Sequence, residues 1–373
     1  MKAILLAAGK STRTFPLTVH RAKPMLPLLN GCILGYTLDI LRDMHSIDEV
    51  ILVVHHGKGE IIERFGESYK GMTLTYVDQK EPMGTGHAVL MAEYLFNGSD
   101  DSVLIINGDD IYNREDLTKI LKRKPAIAVR KVDNPRIFGI FESKENDGKL
   151  IATGLEEKPR YPKSDLANIG CYHLSTSIFT YLKKVKPSQR GEIELTDAIK
   201  RYIDWDDIEL VRFSGTWLPI GYPWDLLSAN DHLMDALHEK REPIISEDVE
   251  MKRDVEIIGN SIIREGVKLG NDVVIDNSII MEGTQIAQGS VIRNSIVGKN
   301  VRIDKNVIVQ DSSEGIITSS VKGEMTEVNR KKFGCVIGDN ARISKKITIM
   351  PGIKVWPNVQ VNNKLSIDKD VYE

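Results

Sequence analysis

Basic and hydroxyl side chains follow the first apolar run of the chain. Residues 3–7 are apolar, Gly9 ends the run, and Arg13 and Lys23 come shortly after it. A glycine-containing turn after a buried strand lets backbone N–H groups converge on phosphate oxygens, and Arg and Lys add positive charge. The pattern favours a polyphosphate site, and an ordinary strand-to-helix turn with solvated charges is the alternative.

Two carboxylates, Asp109 and Asp110, follow the apolar run SVLIIN at residues 102–107. Carboxylates at the end of a buried strand cost desolvation energy unless a cation compensates them. Mg²⁺ prefers oxygen ligands and keeps waters and phosphates in its shell. The sequence therefore predicts Mg²⁺ on Asp109, with Asp110 orienting the site or capping the next element. A solvated turn is the alternative.

The segment QKEPMGTGHA, residues 79–88, combines an amide with two glycines. Gln79 offers a donor and an acceptor that suit the edge of a base. Gly84 and Gly86 would let the backbone approach a planar ligand or a sugar closely. A plain helix amino terminus capped by Thr85 is the alternative.

Composition and motifs exclude several classes of function. The 373 residues carry a net charge of −3, which gives no general attraction to nucleic acid or anionic membranes. Three scattered cysteines predict neither a disulfide framework nor a zinc site. The chain has no P-loop and no dinucleotide fingerprint. Because no signal peptide or apolar run of transmembrane length is recognisable, we expect a cytoplasmic protein.

The segment LAAGKSTRTFPLTVHRAKPM, residues 6–25, closely resembles the LAAGxGTRxxPLT…KPM signature of sugar-1-phosphate nucleotidylyltransferases. It departs from that signature at Ser11, where the family usually has its second glycine. The motifs are most similar to those of N-acetylglucosamine-1-phosphate uridylyltransferases and glucose-1-phosphate thymidylyltransferases. In this family a glutamine in the base-recognition element goes with uracil or thymine, so UTP and dTTP both stay open.

The resemblance implies a role for each matched residue. Arg13 is expected to hold the β- and γ-phosphates of the nucleotide, Lys23 its α-phosphate, and Lys158 the attacking sugar phosphate. Nucleotide contacts are expected from Leu6, Ala8, Gly9, Gln79, Gly84 and Thr85.

The sugar side is implied by three further matches, FGIF, GLEEKPR and NIGCY at residues 138–141, 154–160 and 168–172. The residues expected to bind the sugar are Gly139, Glu157 and Asn168. The neighbouring Glu156 leaves open which glutamate points inward. The segment GEIELTDAI, residues 191–199, also matches the family and is expected to form a helix beneath the sugar site.

The second metal ligand departs from the family. Many relatives have an aspartate where this chain has Pro219, and proline cannot ligate through its side chain. Asn230 is the candidate for the role, with Asp225 and Asp231 as alternatives. Asp225 is also placed to cap the helix that begins at Trp224.

Apolar strand-like runs alternate with helical patterns in the first half of the chain. This alternation predicts an α/β, Rossmann-like domain with a mostly parallel sheet, in which ligands lie at the carboxyl ends of strands. Strands are expected at residues 3–7, 49–54, 73–77 and 102–107, and helices near residues 60–65, 87–96 and 115–122.

Repeats dominate the last third of the chain. NSII, NSII and NSIV begin at Asn260, Asn277 and Asn294, and apolar rows recur every six residues between Ala341 and Val361. Short apolar steps at fixed intervals indicate a parallel β-helix. The pattern resembles the left-handed β-helix of hexapeptide-repeat proteins. The expected domains are a nucleotidyltransferase domain at 1–228, a helical linker at 229–245 and the β-helix at 246–373.

The resemblance implies a Mg²⁺-dependent enzyme that forms NDP-sugar and pyrophosphate from UTP or dTTP and a hexose 1-phosphate, either glucose 1-phosphate or N-acetylglucosamine 1-phosphate. The alternatives are a non-catalytic regulatory pyrophosphorylase-like subunit and a bifunctional enzyme with acetyltransferase activity on the β-helix. The last histidine is His238, so the β-helix lacks an imidazole base, and a structural, oligomerising or regulatory role is favoured. We expect a homo-oligomer through the β-helix (trimer, dimer or tetramer) and no nucleic-acid or membrane partner.

Overall fold

The chain forms two compact units in the computed structural model, which describes residues 1–96, 102–188, 191–237, 242–362 and 365–372. The sheet unit consists of Met1–Lys10 and Ile33–Leu218, and the β-helix unit consists of Ser11–Cys32 and Pro219–Glu373. The expected domain boundaries after residues 228 and 245 stay a prediction, because contacts do not show which parts fold alone. Residues 238–241 of the expected linker lie outside the described residues.

The elements up to residue 237 follow one another in short succession. The strands are β1 (Lys2–Ala7), β2 (Pro27–Leu28), β3 (Gly31–Cys32), β4 (Glu49–Val54), β5 (Ser68–Tyr69), β6 (Met72–Asp78), β7 (Ser102–Asn107), β8 (Asp110–Tyr112), β9 (Ala126–Lys131), β10 (Gly139–Asn146), β11 (Lys149–Glu157), β12 (Leu166–Ser175), β13 (Glu209–Arg212) and β14 (Trp217–Pro219). The α-helices are α1 (Ile33–Asp43), α2 (Lys58–Phe65), α3 (Thr85–Met91), α4 (Arg114–Leu121), α5 (Ile178–Leu182), α6 (Leu195–Ile203) and α7 (Pro223–Leu237). Short 3-10 helices lie at Thr12–Thr14, Lys23–Met25, Glu93–Leu95 and Pro135–Ile137.

A ten-stranded sheet forms the centre of the sheet unit, in the order β10-β11-β13-β9-β12-β7-β1-β4-β6-β5. Strands β7, β1, β4 and β6 are parallel neighbours, as the alternation of strands and helices predicts. From β12 to β10 the pairing is largely antiparallel. The expected α/β fold is confirmed, with parallel pairing concentrated around β1.

Strand β1 lies in the middle of the sheet because it is apolar on both faces. Ala3, Ile4 and Leu5 have no exposed surface, which is typical of strands that are covered by helices on both sides. The expected helices near residues 60–65 and 115–122 are confirmed as α2 and α4. The helix expected at 87–96 is shorter, because α3 ends at Met91 and a 3-10 turn follows it.

The repeats fold into three parallel six-stranded sheets, which are the three faces of the β-helix. Residues that are 17 positions apart pair with one another on neighbouring coils: Leu269 pairs with Ile286, and Ile286 pairs with Ile303. Inward side chains stack into one continuous apolar core. Asn277 and Asn294 have φ values of 45° and 44° at the turns, a conformation that asparagine tolerates better than most residues.

The strands of each face recur once per coil. The first face contains Ile244–Ile245, Ile262–Ile263, Ile279–Ile280, Ile296–Val297, Val336–Ile337 and Lys354–Val355. The second contains Glu250–Met251, Lys268–Leu269, Gln285–Ile286, Arg302–Ile303, Arg342–Ile343 and Gln360–Val361. The third contains Glu256–Ile258, Val274–Asp276, Val291–Arg293, Ile308–Val309, Thr348–Ile349 and Ser366–Ile367.

Helix α7 and an insertion between two coils both contact other parts of the β-helix unit. The insertion contains the hairpin Thr318–Val321 and Glu324–Glu327. Asn260 on the β-helix donates a hydrogen bond from Nδ2 to Asp235 Oδ1 on α7 (2.9 Å). These contacts make α7 a part of the β-helix unit. None of the described helices has the length and apolar character needed to cross a membrane.

Candidate active site

The segment Ser11–Cys32, called the loop segment, begins with a turn fixed by hydroxyl groups. Ser11 has a left-handed backbone, with φ 50° and ψ 49°. Its carbonyl accepts hydrogen bonds from Thr14 Oγ1 (2.7 Å) and Thr18 Oγ1 (2.9 Å). A left-handed conformation costs a residue other than glycine about 1–2 kcal/mol. The backbone therefore explains why the resembled signature has glycine at this position.

The two expected phosphate-binding cations of the loop segment have different environments. Arg13 is exposed, and its guanidinium carbon lies 5.5 Å from the centre of the Tyr222 ring. Lys23 is 5% exposed, and its Nζ donates a hydrogen bond to the carbonyl of Ile220. An aromatic ring attracts a cation on its face. The short stretch just before α7 thus contacts both cations, a relation that the sequence did not reveal.

Asp225 holds that stretch in place. Its Oδ2 accepts hydrogen bonds from the backbone N–H groups of Gly221 and Tyr222, each 2.8 Å long. Burial raises the pKa of Asp225 above its ordinary value, whereas the two N–H groups and the charges of Lys23 and Arg13 act in the opposite direction. The carboxylate therefore interacts with both cations while it fixes the backbone before α7, close to the expected capping position.

Asn230, the expected second metal ligand, is used inside the protein. It is 1% exposed, and its Oδ1 accepts a hydrogen bond from Leu29 N (2.8 Å). Its Nδ2 donates to the carbonyls of Leu226 (2.9 Å) and Pro27 (3.3 Å). These bonds hold the loop segment to α7. The metal role of Asn230 stays a prediction, and it would require the side chain to give up its bond to Leu29.

The alternative ligand Asp231 is paired with a residue of the insertion. Its Oδ2 accepts a hydrogen bond from Arg330 Nη1 at 2.8 Å, and the same nitrogen donates to Ser228 Oγ at 3.0 Å. The side chain of Arg330 is 12% exposed. A largely buried charged hydrogen bond of this kind stabilises the position of α7. The contact gives Asp231 a structural role.

In the sheet unit, the carboxyl ends of β1 and β7 lie side by side. The N–H of Gly108 donates to the carbonyl of Leu6 (3.0 Å). A Cβ at position 108 would lie 3.0 Å from that carbonyl oxygen, so the close approach favours glycine. Ala8 and Gly9 follow β1, and the half-buried Asp109 follows Gly108. The nucleotide and metal elements expected from the sequence are therefore adjacent at this edge of the sheet.

Asp110 is oriented by its neighbours. It is 8% exposed, and its Oδ2 accepts from Asn107 Nδ2 (3.4 Å) and Tyr112 Oη (3.5 Å). The single proton of the Tyr112 hydroxyl is shared with the carbonyl of Ile169, which is the closer acceptor (2.6 Å). Burial raises the pKa of Tyr112 well above its ordinary value, so the hydroxyl remains a neutral donor. This arrangement suits the orienting role expected for Asp110.

Gln79 follows β6 at the same edge of the sheet and is 3% exposed. Its backbone N–H donates to the carbonyl of Val54 (2.8 Å). Its Nε2 donates to the carbonyl of Gly84 (3.0 Å) and lies 3.1 Å from His87 Nδ1. Both side-chain contacts use Nε2. These two contacts hold the side-chain amide against residues 84–87 of its own loop. The Oε1 atom is then the acceptor that the side chain would offer to a base.

The glycines of this loop are explained by packing within the protein. A Cβ at Gly84 would lie 2.6 Å from the carbonyl oxygen of Ile193, and one at Gly86 would lie 2.9 Å from the same atom. The N–H of Gly86 donates to that carbonyl (2.8 Å). The segment expected to form a helix beneath the sugar site thus also supports the base loop. Thr85 does not cap its own helix; its Oγ1 accepts from Leu195 N (3.1 Å) at the start of α6.

The expected sugar-binding residues meet where β10, β11 and β12 lie together. Gly139 pairs with Glu157, and a Cβ at Gly139 would lie 2.9 Å from Glu157 Oε2 and 3.6 Å from Asn168 Cβ. This proximity favours Glu157 as the inward glutamate. Asn168 Nδ2 donates to Tyr172 Oη (2.8 Å), and burial strongly raises the pKa of that hydroxyl. Tyr172 therefore orients Asn168, a role that the NIGCY motif did not assign.

Lys158 follows Glu157 at the end of β11. Its backbone has a φ of 47°, and its N–H donates to the carbonyl of Phe138 (2.9 Å). Its Nζ lies 4.0 Å from Glu157 Oε1, and the side chain is 60% exposed. A left-handed lysine is uncommon, and such strain is often found at functional sites. Lys158 therefore presents an exposed ammonium group beside the residues that are expected to bind the sugar.

The donor set near Asp109 fits Mg²⁺ bound mainly by substrate and water. Among the residues that the structure describes, no three His, Cys, Asp or Glu side chains lie close enough to form a metal cage. Mg²⁺ takes one or two protein carboxylates and completes its octahedron with waters and phosphate oxygens. The half-buried carboxylate of Asp109, with Asp110 beside it, suits this mode. The ligand role of Asp109 stays a prediction.

Comparison with known proteins gives a family assignment for most of the chain. The family model described as nucleotidyl transferase matches residues 2–236, and the model described as GMPPB C-terminal domain matches residues 240–371. Together they match both the α/β part and the repeats. The resemblance inferred from the motifs is confirmed.

Three similar proteins illustrate the match. The chain is 35% identical over 411 aligned positions to the protein named Bifunctional protein GlmU of Methanococcus maripaludis strain C5, covering 100% of this chain and 95% of that protein. It is 34% identical to a glucose-1-phosphate thymidylyltransferase of Streptomyces antibioticus, covering 74% of this chain and 76% of that protein. A UDP-glucose pyrophosphorylase structure complexed with UDP-glucose shares the fold, with 24% identity, a TM-score of 0.57, and coverage of 63% of this chain and 98% of that one.

Proposed function

Because the chain belongs to the nucleotidyl transferase family, we propose that it joins a nucleoside triphosphate to a sugar 1-phosphate. A phosphate oxygen of the sugar 1-phosphate attacks the α-phosphorus of the triphosphate. The bond between the α- and β-phosphates breaks, and pyrophosphate leaves with its electron pair. The products are NDP-sugar and pyrophosphate.

The observation that carries the proposal is the carboxyl edge of the sheet. Gln79, Asp109 and the cluster of Gly139, Glu157 and Asn168 all lie at strand ends or strand starts on this edge. Open α/β sheets bind ligands at such an edge. Gln79 would bind the base of an NDP-sugar, Asp109 would hold the metal at its phosphates, and the cluster of Gly139, Glu157 and Asn168 would bind its sugar. One edge of the sheet thus carries a candidate site for each of the three parts.

The reaction needs charge stabilisation more than a general base. A sugar phosphate is already anionic at neutral pH, so catalysis requires in-line positioning and neutralisation of charge on the α-phosphate and the leaving pyrophosphate. Arg13 binds the β- and γ-phosphates, Lys23 the α-phosphate, and Lys158 the attacking phosphate. Mg²⁺ held by Asp109 supplies further positive charge to the phosphate oxygens when it is bound.

Substrate choice follows from Gln79 and the sugar cluster. In the resembled family a glutamine in this element goes with uracil or thymine, and Gln79 Oε1 can accept a hydrogen bond from the N3–H of either base, so UTP and dTTP are the proposed nucleotides. Glu157 accepts hydrogen bonds from sugar hydroxyls, and Asn168, held by Tyr172, adds a further contact. Glucose 1-phosphate and N-acetylglucosamine 1-phosphate are the proposed partners in the reaction.

The test is pyrophosphate release measured over a matrix of nucleotides and sugar 1-phosphates. We expect turnover with UTP or dTTP and a glucose-type sugar, and little with ATP or GTP. Asp109→Asn should abolish most of the signal, whereas Asp147→Asn should keep it. Asp147 is an exposed aspartate at the turn between β10 and β11, at the opposite end of that hairpin from Gly139 and Glu157. Silence of the wild type over the whole matrix would favour a non-catalytic, regulatory protein.

Acetyl transfer is the weaker second function. The relative from Methanococcus maripaludis is named bifunctional, but this chain has no histidine after His238. The insertion instead carries Arg330, which contacts α7. Incubation with acetyl-CoA and glucosamine 1-phosphate should give no free CoA above background. Release of CoA that depends on both substrates would assign the β-helix a catalytic role.

A further inference from the structure

The loop segment belongs to the β-helix unit by its contacts, although it interrupts the sheet unit in sequence. It carries Arg13 and Lys23, the two cations assigned above to the nucleotide. Two of its side chains, Phe15 and Arg21, contact the β-helix itself. These contacts connect the segment that carries both cations to the β-helix.

The first contact is a buried ion pair. Arg21 Nη2 lies 3.0 Å from Asp339 Oδ2, and the two side chains are 4% and 17% exposed. Arg21 Nη1 also donates to Met281 Sδ (3.0 Å). Asp339 is itself fixed, because its Oδ1 accepts from the backbone N–H of Lys299 (2.8 Å) on the neighbouring coil. The guanidinium group is thus held by a rigid turn of the β-helix.

The second contact is aromatic. The rings of Phe15 and Trp356 meet edge to face, with centroids 5.6 Å apart and an interplanar angle of 79°. Trp356 in turn packs against Tyr372, at a centroid distance of 5.1 Å. Edge-to-face pairs favour one relative orientation. This contact therefore restrains the orientation of the loop segment at Phe15 as well as its distance from the β-helix.

Each contact lies two residues from a cation. Phe15 follows Arg13, and Arg21 precedes Lys23. We propose that the β-helix positions the two phosphate-binding cations of the loop segment, with Arg21 and Asp339 as the main positioning residues and Phe15 and Trp356 as the second pair. The proposal rests on the proposed function, since it assigns the cations to the nucleotide.

The energetics favour positioning over stability as the role of the ion pair. A buried ion pair adds little net stability over an apolar pair, but it specifies one arrangement. In-line transfer is sensitive to geometry, and a displacement of about 1 Å can reduce the rate about a hundredfold. Removal of one partner of a buried pair also destabilises the fold, so turnover has to be compared in variants that are shown to be folded.

The test compares Arg21→Met, Asp339→Asn and the double variant in the full-length protein. We expect kcat to fall about 10- to 100-fold in each single variant, while the KM for the sugar 1-phosphate changes less than about twofold. The kcat of the double variant should be no lower than that of the less active single variant, because both substitutions break the same ion pair. Trp356→Leu should add a further loss when combined with Arg21→Met, since its contact is separate.

The matched control is the exposed ion pair between Lys268 and Glu250 on the second face, where Nζ lies 2.7 Å from Oε1. Lys268→Met and Glu250→Gln should leave kcat unchanged. Thermal unfolding identifies any variant that fails to fold, and Asp339→Asn keeps a side chain that can still accept from Lys299 N. Folded Arg21 and Asp339 variants with kcat within twofold of the wild type overturn the proposal, as does a double variant whose loss equals the product of the single losses.

Hydrogen exchange separates this proposal from the proposed function. Peptides covering residues 11–25 should exchange faster in Arg21→Met than in the wild type, whether or not the protein turns over. If the wild type releases no pyrophosphate with any substrate, the proposed function fails and exchange still tests the anchoring. Unchanged exchange in both Arg21→Met and Trp356→Leu shows that the β-helix does not hold the loop segment, and overturns the inference.

Discussion

The carboxyl edge of the sheet and the loop segment position their proposed site residues by different means. At the sheet edge, Gln79, Asp109 and Glu157 are placed by strand ends, and the supporting contacts are largely backbone bonds and close glycine packing. In the loop segment, Lys23 and its neighbours are placed by side-chain contacts to α7 and to the β-helix. Substitutions of Asp109 and Glu157 at the edge should therefore change activity with little effect on stability, whereas substitutions of buried loop-segment residues such as Lys23 should change both.

Substitution of Lys23 should have the largest effect on both turnover and stability. Lys23→Met should lower kcat by at least about a hundredfold, as loss of other charge-stabilising groups does. It should also lower the melting temperature, because the buried ammonium donates to Ile220. The exposed Arg13 is the matched comparison: Arg13→Ala should lose similar activity with little change in melting. Near-unchanged turnover in both would remove them from the mechanism.

Substitution of Asp109 should reduce activity with little effect on stability. Asp109→Asn should reduce kcat by about a hundredfold, on the scale of other charge-stabilising groups, and weaken the dependence of activity on Mg²⁺ concentration. The melting temperature should stay close to that of the wild type, because the carboxylate is half-buried at a strand end. A variant with full activity and an unchanged Mg²⁺ dependence would contradict the assigned ligand.

Substitution of Glu157 should change the KM for the sugar 1-phosphate and leave the KM for the nucleotide nearly unchanged. Glu157→Gln should raise the KM for the sugar 1-phosphate by about tenfold, which corresponds to the loss of about 1.4 kcal/mol from a charged hydrogen bond. The KM for the nucleotide should stay within about twofold. Glu156→Gln is the matched control, and a larger effect there would reverse the assignment of the inward glutamate.

Asn230 distinguishes a structural role from metal binding. Asn230→Ala should lower the free energy of unfolding by about 1–3 kcal/mol, because it leaves buried groups of Pro27 and Leu29 unpaired. Its activity at low temperature should keep the wild-type dependence on Mg²⁺. A shifted Mg²⁺ dependence with normal stability would show instead that Asn230 is a metal ligand.

Ser11 gives the smallest expected effect. Ser11→Gly relieves a left-handed conformation that costs about 1–2 kcal/mol, but glycine adds up to about 1 kcal/mol of unfolded-state entropy. The net gain in unfolding free energy should be under about 1 kcal/mol, measured by denaturant unfolding, with unchanged kcat. A marked loss of activity would show that the hydroxyl itself contacts a substrate.

The sequence predicted what depends on local periodicity. The 17-residue repeat gave the pairing of Leu269 with Ile286, and the alternation of strands and helices placed Gly108 and Asp109 at a strand end. The sequence did not predict that residues 11–32 pack with the last third of the chain. That arrangement depends on contacts such as Arg21 with Asp339, which are 318 residues apart.

Glycine patterns were the least reliable guide to function. Gly84 and Gly86 were expected to let a ligand approach, but their open faces are filled by Ile193. A single sequence shows that a close approach occurs and does not show which group approaches. The same limit applies to Asn230, whose amide fits a metal as well as it fits the carbonyls that it binds.

Isotope transfer is the most direct test of the central claim. The wild type is incubated with UTP or dTTP and a sugar 1-phosphate that carries ¹⁸O in its phosphate oxygens, and the products are analysed by mass spectrometry. If the sugar phosphate attacks the α-phosphorus, the NDP-sugar keeps the whole label and the pyrophosphate carries none. Absence of an NDP-sugar, or label in the pyrophosphate, would contradict the proposed reaction.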